Sequence, residues 1–276
     1  MKREEHTLGD IASYRFPGPD ADHALLVLHG TGGHGGIYDS FAAHHANRGV
    51  DIWCMDAPGH GRSCITRPAG RFTLEEWVEA AVAYGEHIAK STGLPVFVKG
   101  SSLGAAAAYP ALAADVFAGA VLMGYAIPGS PLLPADNPFR SAAYEQIEKG
   151  LGQSMRLDIS RFFDFDVDYG YVGAAEQKHA DPLNTWFYDM ASYASVFRYD
   201  PPVPLSENTK PILYAVGEKD PTFPVSVAQS VVDITGGPVE FHIEPDGVHQ
   251  LMLFHTQSYS KLIHEWCSRH LNSEGR

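Results

Sequence analysis

Residues 95–104 read Pro-Val-Phe-Val-Lys-Gly-Ser-Ser-Leu-Gly, and the alanine-rich stretch Ala105–Ala108 follows directly. A short apolar run, a tight glycine–serine turn and a helix-forming segment describe one strand–turn–helix unit. The turn is the chain's single G-x-S-x-G, Gly100 to Gly104. Residue frequencies alone would produce such a pattern roughly 0.1–0.2 times in a chain of this length, so its setting carries the weight. A sharp turn after a strand strains the backbone of the central residue and demands small neighbours. Gly100 and Gly104 supply them, which leaves the Ser102 hydroxyl at the apex. The plain alternative is an ordinary βα turn with a helix-capping serine. Ser101 has the wrong slot and reads as packing or capping. Pro110 should kink the following helix or end it early.

The same kind of strand recurs along the chain. Residues 24–29 (ALLVLH), 50–55 (VDIWCM), 119–123 (GAVLM), 211–216 (PILYAV) and 238–243 (PVEFHI) are short and mostly continuous in apolar character. Parallel strands buried on both faces read this way. Helical periodicity separates them. Leu74, Trp77, Val78, Ala81 and Val82 share one face, with Thr73 as N-cap and Glu76 completing a capping box. Tyr259, Leu262, Ile263, Trp266 and Cys267 repeat the pattern near the end of the chain. Alternating strands and helices imply an α/β fold with a doubly wound, mostly parallel sheet. From 125 to 205 no strand run is found, while prolines, aromatics and short helical patterns accumulate. A long excursion of this kind reads as a helical cap or lid. The expected division is a core of residues 1–124 and 206–276 with a cap insertion at 125–205.

A serine hydroxyl needs a base, and the base needs an orienting carboxylate. The run PILYAV is followed by Gly217-Glu218-Lys219-Asp220, and PVEFHI by Asp246-Gly247-Val248-His249. The order serine, acid, histidine, with the last two on loops after late strands, nominates Asp220 and His249 as partners of Ser102. Glu218 and Asp246 compete for the acid's role. Charge developing on a carbonyl oxygen also needs donors. The Leu103 N–H is one candidate. The loop after ALLVLH, residues 29–36 (HGTGGHGG), offers the other, for which Thr31 is chosen. Its glycines permit close approach of backbone to a ligand. A phosphate-binding use is disfavoured because neither G-x-x-x-x-G-K-[ST] nor a helix-opening G-x-G-x-x-G is present. His29 and His34 read as structural, ordering this loop through hydrogen bonds.

Taken together, HGTGGHGGIYD, MDAPGHGRS, GSSLG, GEKD and GVH resemble the α/β-hydrolase superfamily. The first two resemble its monoacylglycerol lipase/lysophospholipase-like branch, with an HG-x-G-x-H-x-x-x-Y loop and a D-x-x-GHG-x-S loop. The resemblance runs from Leu28 to His249 apart from the variable cap. It implies Ser102 as nucleophile, Asp220 as acid, His249 as base, and Thr31 and Leu103 as oxyanion donors. Leu103-Gly104 departs from the Met-Gly that often follows the serine in this family. Serine at the turn, where relatives that cleave carbon–halogen bonds or epoxides resemble this fold but carry aspartate, points to ester, thioester or amide hydrolysis. The expected activity is carboxylic ester hydrolysis on a small or medium apolar substrate. The rivals are carbon–carbon hydrolysis of a diketone and a triad-retaining binding protein with slow turnover.

Composition narrows the partners. Twenty Lys and Arg stand against 33 Asp and Glu, a net charge of −13. That excess argues against nucleic acid and against anionic membranes. The three cysteines, Cys54, Cys64 and Cys267, have neither disulfide nor metal-ligand spacing. The first ten residues lack the apolar core of a secretory signal, and no apolar run spans a bilayer. The expectation is a soluble, cytoplasmic enzyme that needs no cofactor and no metal, with a small-molecule ester as its partner. Asp164-Phe165-Asp166-Val167-Asp168 fails as a calcium loop, since Tyr169 and Ala175 stand where Gly and Glu are needed. It reads as a solvated acidic edge of the cap. His264-Glu265 lacks the second histidine of a zinc helix, and His44-His45 reads as helix surface. The cap's aromatics, Phe162 to Tyr193, read mostly as core, with a few over Ser102 favouring an acyl or aromatic group.

Overall fold

The computed structural model describes residues 2–124, 127–130, 136–152 and 154–271. Ten strands are found among them: β1 Glu4–Leu8, β2 Ile11–Phe16, β3 His23–Leu28, β4 Val50–Met55, β5 Val96–Ser101, β6 Phe117–Met123, β7 Arg156–Asp158, β8 Phe187–Asp189, β9 Ile212–Gly217 and β10 Val239–Glu244. The helices are α1 Asp39–Ala46, α2 Leu74–Thr92, α3 Leu103–Ala111, α4 Ala142–Leu151, α5 Phe165–Tyr169, α6 Ala174–Ala180, α7 Met190–Arg198, α8 Val225–Val232, α9 Leu251–Phe254 and α10 Thr256–Leu271. None is long and apolar enough to cross a membrane.

Eight strands form one sheet in the order β1-β2-β4-β3-β5-β6-β9-β10. From β4 to β10 every neighbouring pair is parallel, whereas β1–β2 and β2–β4 are antiparallel. β3, β4 and β5 are buried along their whole length because both faces are covered. One face packs against Trp77, Tyr84 and Ile88 of α2, the alanines of α3, and α8. The other packs against Phe41 of α1 and Tyr259, Ile263 and Trp266 of α10. Burial on this scale, about 25 cal/mol per Å² of apolar surface, is the main force holding the layers together. Thr73 caps α2 as expected: its hydroxyl accepts the Glu76 N–H while the Glu76 carboxylate accepts the Thr73 N–H.

The stretch between β6 and β9 is not purely helical. Two three-residue strands, β7 and β8, pair antiparallel within it, at Leu157 opposite Tyr188. Runs this short carry too few residues to show a period, so the sequence alone does not announce them. Part of the stretch, including its expected start at Tyr125, lies outside the described residues. The rest is fastened to the core by several bonds. Phe72 N–H and Leu74 N–H donate to the Ser192 and Ser195 hydroxyls. Asp189 is buried and receives both Arg71 and Arg156.

Candidate active site

Ser102 joins β5 to α3 with φ 50° and ψ −122°, a left-handed conformation that costs a non-glycine residue about 1–3 kcal/mol. Backbone surrounds the turn on all sides. A Cβ on Gly100 would come 2.4 Å from Ala105 Cα, and one on Gly104 would come 2.4 Å from Leu28 O. Neither position admits a larger residue. Ser102 N–H donates to Met123 O, which anchors the strained residue to β6. Pro110 is the penultimate residue of α3, so the proline ends this helix early rather than kinking it.

Ser102, His249 and Asp220 meet at the carboxyl ends of the strands. Ser102 Oγ lies 3.1 Å from His249 Nε2, and His249 Nδ1 lies 2.8 Å from Asp220 Oδ2. The carboxylate accepts from Nδ1–H, which leaves Nε2 free to accept the serine proton. Asp220 is held in turn, since its Oδ1 accepts the Thr222 and Phe223 N–H groups. All three side chains are buried, Ser102 being 8% exposed. The Phe223 ring stacks on the imidazole at 5.6 Å. Gly124, which belongs to none of the sequence motifs, leaves the space they need. A Cβ there would come 3.1 Å from Asp220 Oδ2 and 3.3 Å from the His249 ring. The competing carboxylates face elsewhere: Glu218 accepts the Asp246 N–H, and Asp246 pairs with Lys219 in solvent.

Thr31 and Leu103 flank Ser102. Leu103 opens α3, where unpaired N–H groups and the helix dipole favour negative charge. A Cβ on Gly30 would come 3.0 Å from Ser102 Cβ, so the loop carrying Thr31 abuts the serine. Among the described residues, neither the Thr31 nor the Leu103 N–H is engaged by another group. Such an arrangement can pass a proton from hydroxyl to imidazole and can offer two donors to an oxyanion.

The loop beyond Thr31 is ordered by histidines and by the stretch between β6 and β9. His29 Nδ1–H donates to Gly30 O, and its Nε2 accepts the Ala57 N–H. His34 Nδ1 accepts the Gly36 N–H, and Nε2–H donates to Asp181. Gly32 is gripped at both ends, its N–H by the Tyr188 hydroxyl at 2.8 Å and its carbonyl by the Thr185 N–H. The Tyr188 hydroxyl donates onward to His60 Nε2 at 2.7 Å, because the His60 Nδ1–H is committed to Pro58 O. Burial holds His60 neutral, its pKa lowered to about 4. Sequence alone gives Tyr188 only the role of a cap aromatic and His60 only a place in the GHG of residues 59–61, because a link between residues 128 apart leaves no local pattern.

Two sequence expectations need correction. Asp168 is not on a solvated edge: it is buried, its Oδ1 accepts the Thr222 hydroxyl, and burial raises its carboxyl pKa. Asp164 and Asp166 do behave as polar caps, accepting N–H groups of α5 and of the Gly173–Ala175 turn. His45 is not helix surface either. It is fully buried against the Phe41 ring, and burial pushes its pKa well down.

Comparison with known proteins gives a consistent picture. A family model described as "Alpha/beta hydrolase family" matches residues 25–260. A monoglyceride lipase homolog of monkeypox virus is 30% identical over 118 residues, which cover 41% of this chain and 39% of the viral protein. The match thus spans about two fifths of that relative's length. A monoacylglycerol lipase of Paleococcus ferrophilus has the same fold, with TM-score 0.73, 20% identity, and coverage of 98% of this chain and 100% of that one. A soluble variant of monoglyceride lipase from Saccharomyces cerevisiae, solved with a substrate analog, gives TM-score 0.72 at 15% identity, covering 97% and 94%. A carboxyl esterase from Bacillus coagulans in complex with glycerol gives 0.71 at 17%, covering 96% and 98%.

Proposed function

The chain belongs to the alpha/beta hydrolase family, and on that premise we propose that it is a serine hydrolase of the monoacylglycerol lipase/lysophospholipase-like branch. Its substrate is a small or medium apolar carboxylic ester, cleaved through an acyl-enzyme. The observation that carries this reading is the hydrogen-bonded line from Ser102 Oγ through His249 to Asp220, starting at a serine held in a strained turn. Of the positive-φ non-glycine residues among those described, Ser102 is the one hydrogen-bonded to a histidine–carboxylate pair, and a nucleophile at the apex accounts for its strain. The reaction follows from the line. His249 Nε2 takes the Ser102 proton as Oγ attacks the ester carbonyl, and Asp220 holds the imidazole's tautomer. The Thr31 and Leu103 N–H groups receive the oxyanion, each worth about 3 kcal/mol in the transition state. His249 returns the proton to the departing alcohol. A water then attacks the acyl-enzyme with His249 as base, and the acid leaves.

A fluorophosphonate probe tests the reading directly. The wild-type protein is expected to be labelled at Ser102 within minutes, and Ser102→Ala not at all. Equal labelling of a folded Ser102→Ala protein would remove Ser102 from the reaction. Turnover across phenyl esters of increasing acyl length then defines the substrate range.

The grip on Gly32 leads to a second expectation. Tyr188→Phe leaves the Gly32 N–H and His60 Nε2 without partners, a cost of about 1–3 kcal/mol for each buried group. Part of that cost falls on the placement of Thr31. Displacement of a donor by about 1 Å is worth up to 10²-fold in rate, so kcat should fall roughly 10- to 100-fold with KM little changed. Steady-state kinetics beside a melting curve check this. An unchanged kcat in a destabilised protein would mean that the grip serves folding alone.

A further inference from the structure

Lys178 on α6 is 6% exposed. Its stem crosses the loop that carries Thr31: a Cβ on Gly32 would lie 3.2 Å from Lys178 Cε. The ammonium sits among aromatic rings, 5.1 Å from the centroid of Phe165 and 5.8 Å from that of Trp186. Among the described residues it has neither a hydrogen-bond acceptor nor a carboxylate in ion-pair range. Asp181, whose charge it feels, is already committed: Oδ2 accepts from His34 and Oδ1 from the Leu183 N–H. Burial costs this ammonium some of its basicity and brings its pKa to about 8, so it still carries its charge at neutral pH.

The second buried lysine is a useful contrast. Lys99 is sealed within the core, where Nζ donates to Gly100 O at 3.3 Å and faces Met252 Sδ at 2.8 Å. It is satisfied internally. Lys178 is not, and the ring faces beside it recover only part of a buried charge's hydration. A methionine or leucine would fill the same space without that penalty. What the position lacks is an anion, and it lies beside the loop that abuts Ser102. Two residues of chain, Gly30 to Gly32, span at most about 7 Å, within the reach of a short acyl or alcohol moiety.

We infer that Lys178 is a specificity-determining residue that pairs with a single carboxylate carried by an otherwise apolar ester, so that the enzyme favours such singly anionic esters over their neutral isosteres. This rests on the serine hydrolase reading above. A single ammonium between two rings suits one carboxylate, whereas multiply charged phosphates draw several basic groups.

The test compares matched esters in wild type, Lys178→Met and Lys178→Gln, with melting curves and fluorophosphonate labelling as controls for the fold. For the acyl side, phenyl monoesters of succinic, glutaric and adipic acid are set against phenyl butyrate, valerate and hexanoate. For the alcohol side, the butyrate ester of 4-(hydroxymethyl)benzoate is set against benzyl butyrate. Wild type is expected to favour at least one charged ester by about 10-fold or more in kcat/KM. Either variant should lower that value by about 30-fold or more while leaving the neutral esters within about twofold. Wild-type turnover of neutral esters with no preference for charge in either series overturns the inference and leaves the hydrolase reading standing. An equal fall for charged and neutral esters in folded variants assigns Lys178 to packing and overturns it as well. No turnover of any ester and no labelling of Ser102 overturns the hydrolase reading, and this inference with it.

Discussion

Replacing His249 with alanine is expected to lower kcat for any accepted ester by about 10⁶-fold, the scale that loss of the base has in a serine protease. His249 Nε2, at 3.1 Å, is the group placed to take the Ser102 proton. An unassisted hydroxyl is a weak nucleophile at neutral pH, and the two backbone donors cannot change that. They should instead leave a residual rate of about 10³–10⁴ over water. The same change has a structural side that must be separated from the chemical one. The imidazole packs on Phe223 and satisfies Asp220 Oδ2, so its loss leaves a buried carboxylate oxygen without its donor. That costs about 1–3 kcal/mol, or roughly 2–12 °C of Tm for a chain of this size. Assays should therefore be run well below the variant's melting transition. A folded His249→Ala protein that kept more than about a hundredth of wild-type kcat would point to a different base.

The central sheet was legible because its strands are buried on both faces, so each one reads as a continuous apolar run. All six runs read from sequence coincide with strands between β3 and β10 to within one or two residues. β1 and β2 were not read. β1 is an exposed edge strand whose Glu4, Glu5 and Thr7 face solvent, and β2 places Ser13 and Arg15 among its apolar residues. Antiparallel pairing with β4 buries Ser13 and the apolar residues of β2 and leaves Arg15 half-buried, and no local pattern announces a partner that far along the chain. Strand ends and chain order can be read locally, which nominates Ser102, Asp220 and His249, and the structure puts His249 within hydrogen-bonding distance of both Ser102 and Asp220. The groups around them were harder to see. Tyr188 reads as one more cap aromatic until its hydroxyl is found between Gly32 and His60. Asp168 reads as part of an acidic run until Thr222 is found beside it. In each case the partner lies 50 or more residues away, and the pairing exists only once the stretch between β6 and β9 has folded onto the strand ends.

The choice among the three carboxylates near His249 gives a result almost as large. Asp220→Asn is expected to lower kcat by about 10⁴-fold, while Glu218→Gln and Asp246→Asn stay within about threefold of wild type. The loop geometry explains why so small a change is so costly. Thr222 and Phe223 direct two N–H groups at Asp220 Oδ1. In the asparagine variant these donors require an oxygen at that position, which turns the amide NH₂ toward His249 Nδ1. An NH₂ facing Nδ1 forces that nitrogen to accept, so the imidazole proton moves to Nε2. Nε2–H then faces the Ser102 hydroxyl as a donor and cannot take its proton. The variant should thus keep its fold and ring position but hold the wrong tautomer. Glu218 and Asp246 have no such leverage, since one accepts a backbone N–H and the other pairs with Lys219 in solvent. Proton-detected spectra of the imidazole distinguish the two tautomers independently of turnover. A rate loss with the proton still on Nδ1 would mean that Asp220 acts through its charge rather than by fixing the tautomer. Normal turnover in Asp220→Asn together with a crippled Glu218→Gln or Asp246→Asn would transfer the acid's role to that other carboxylate.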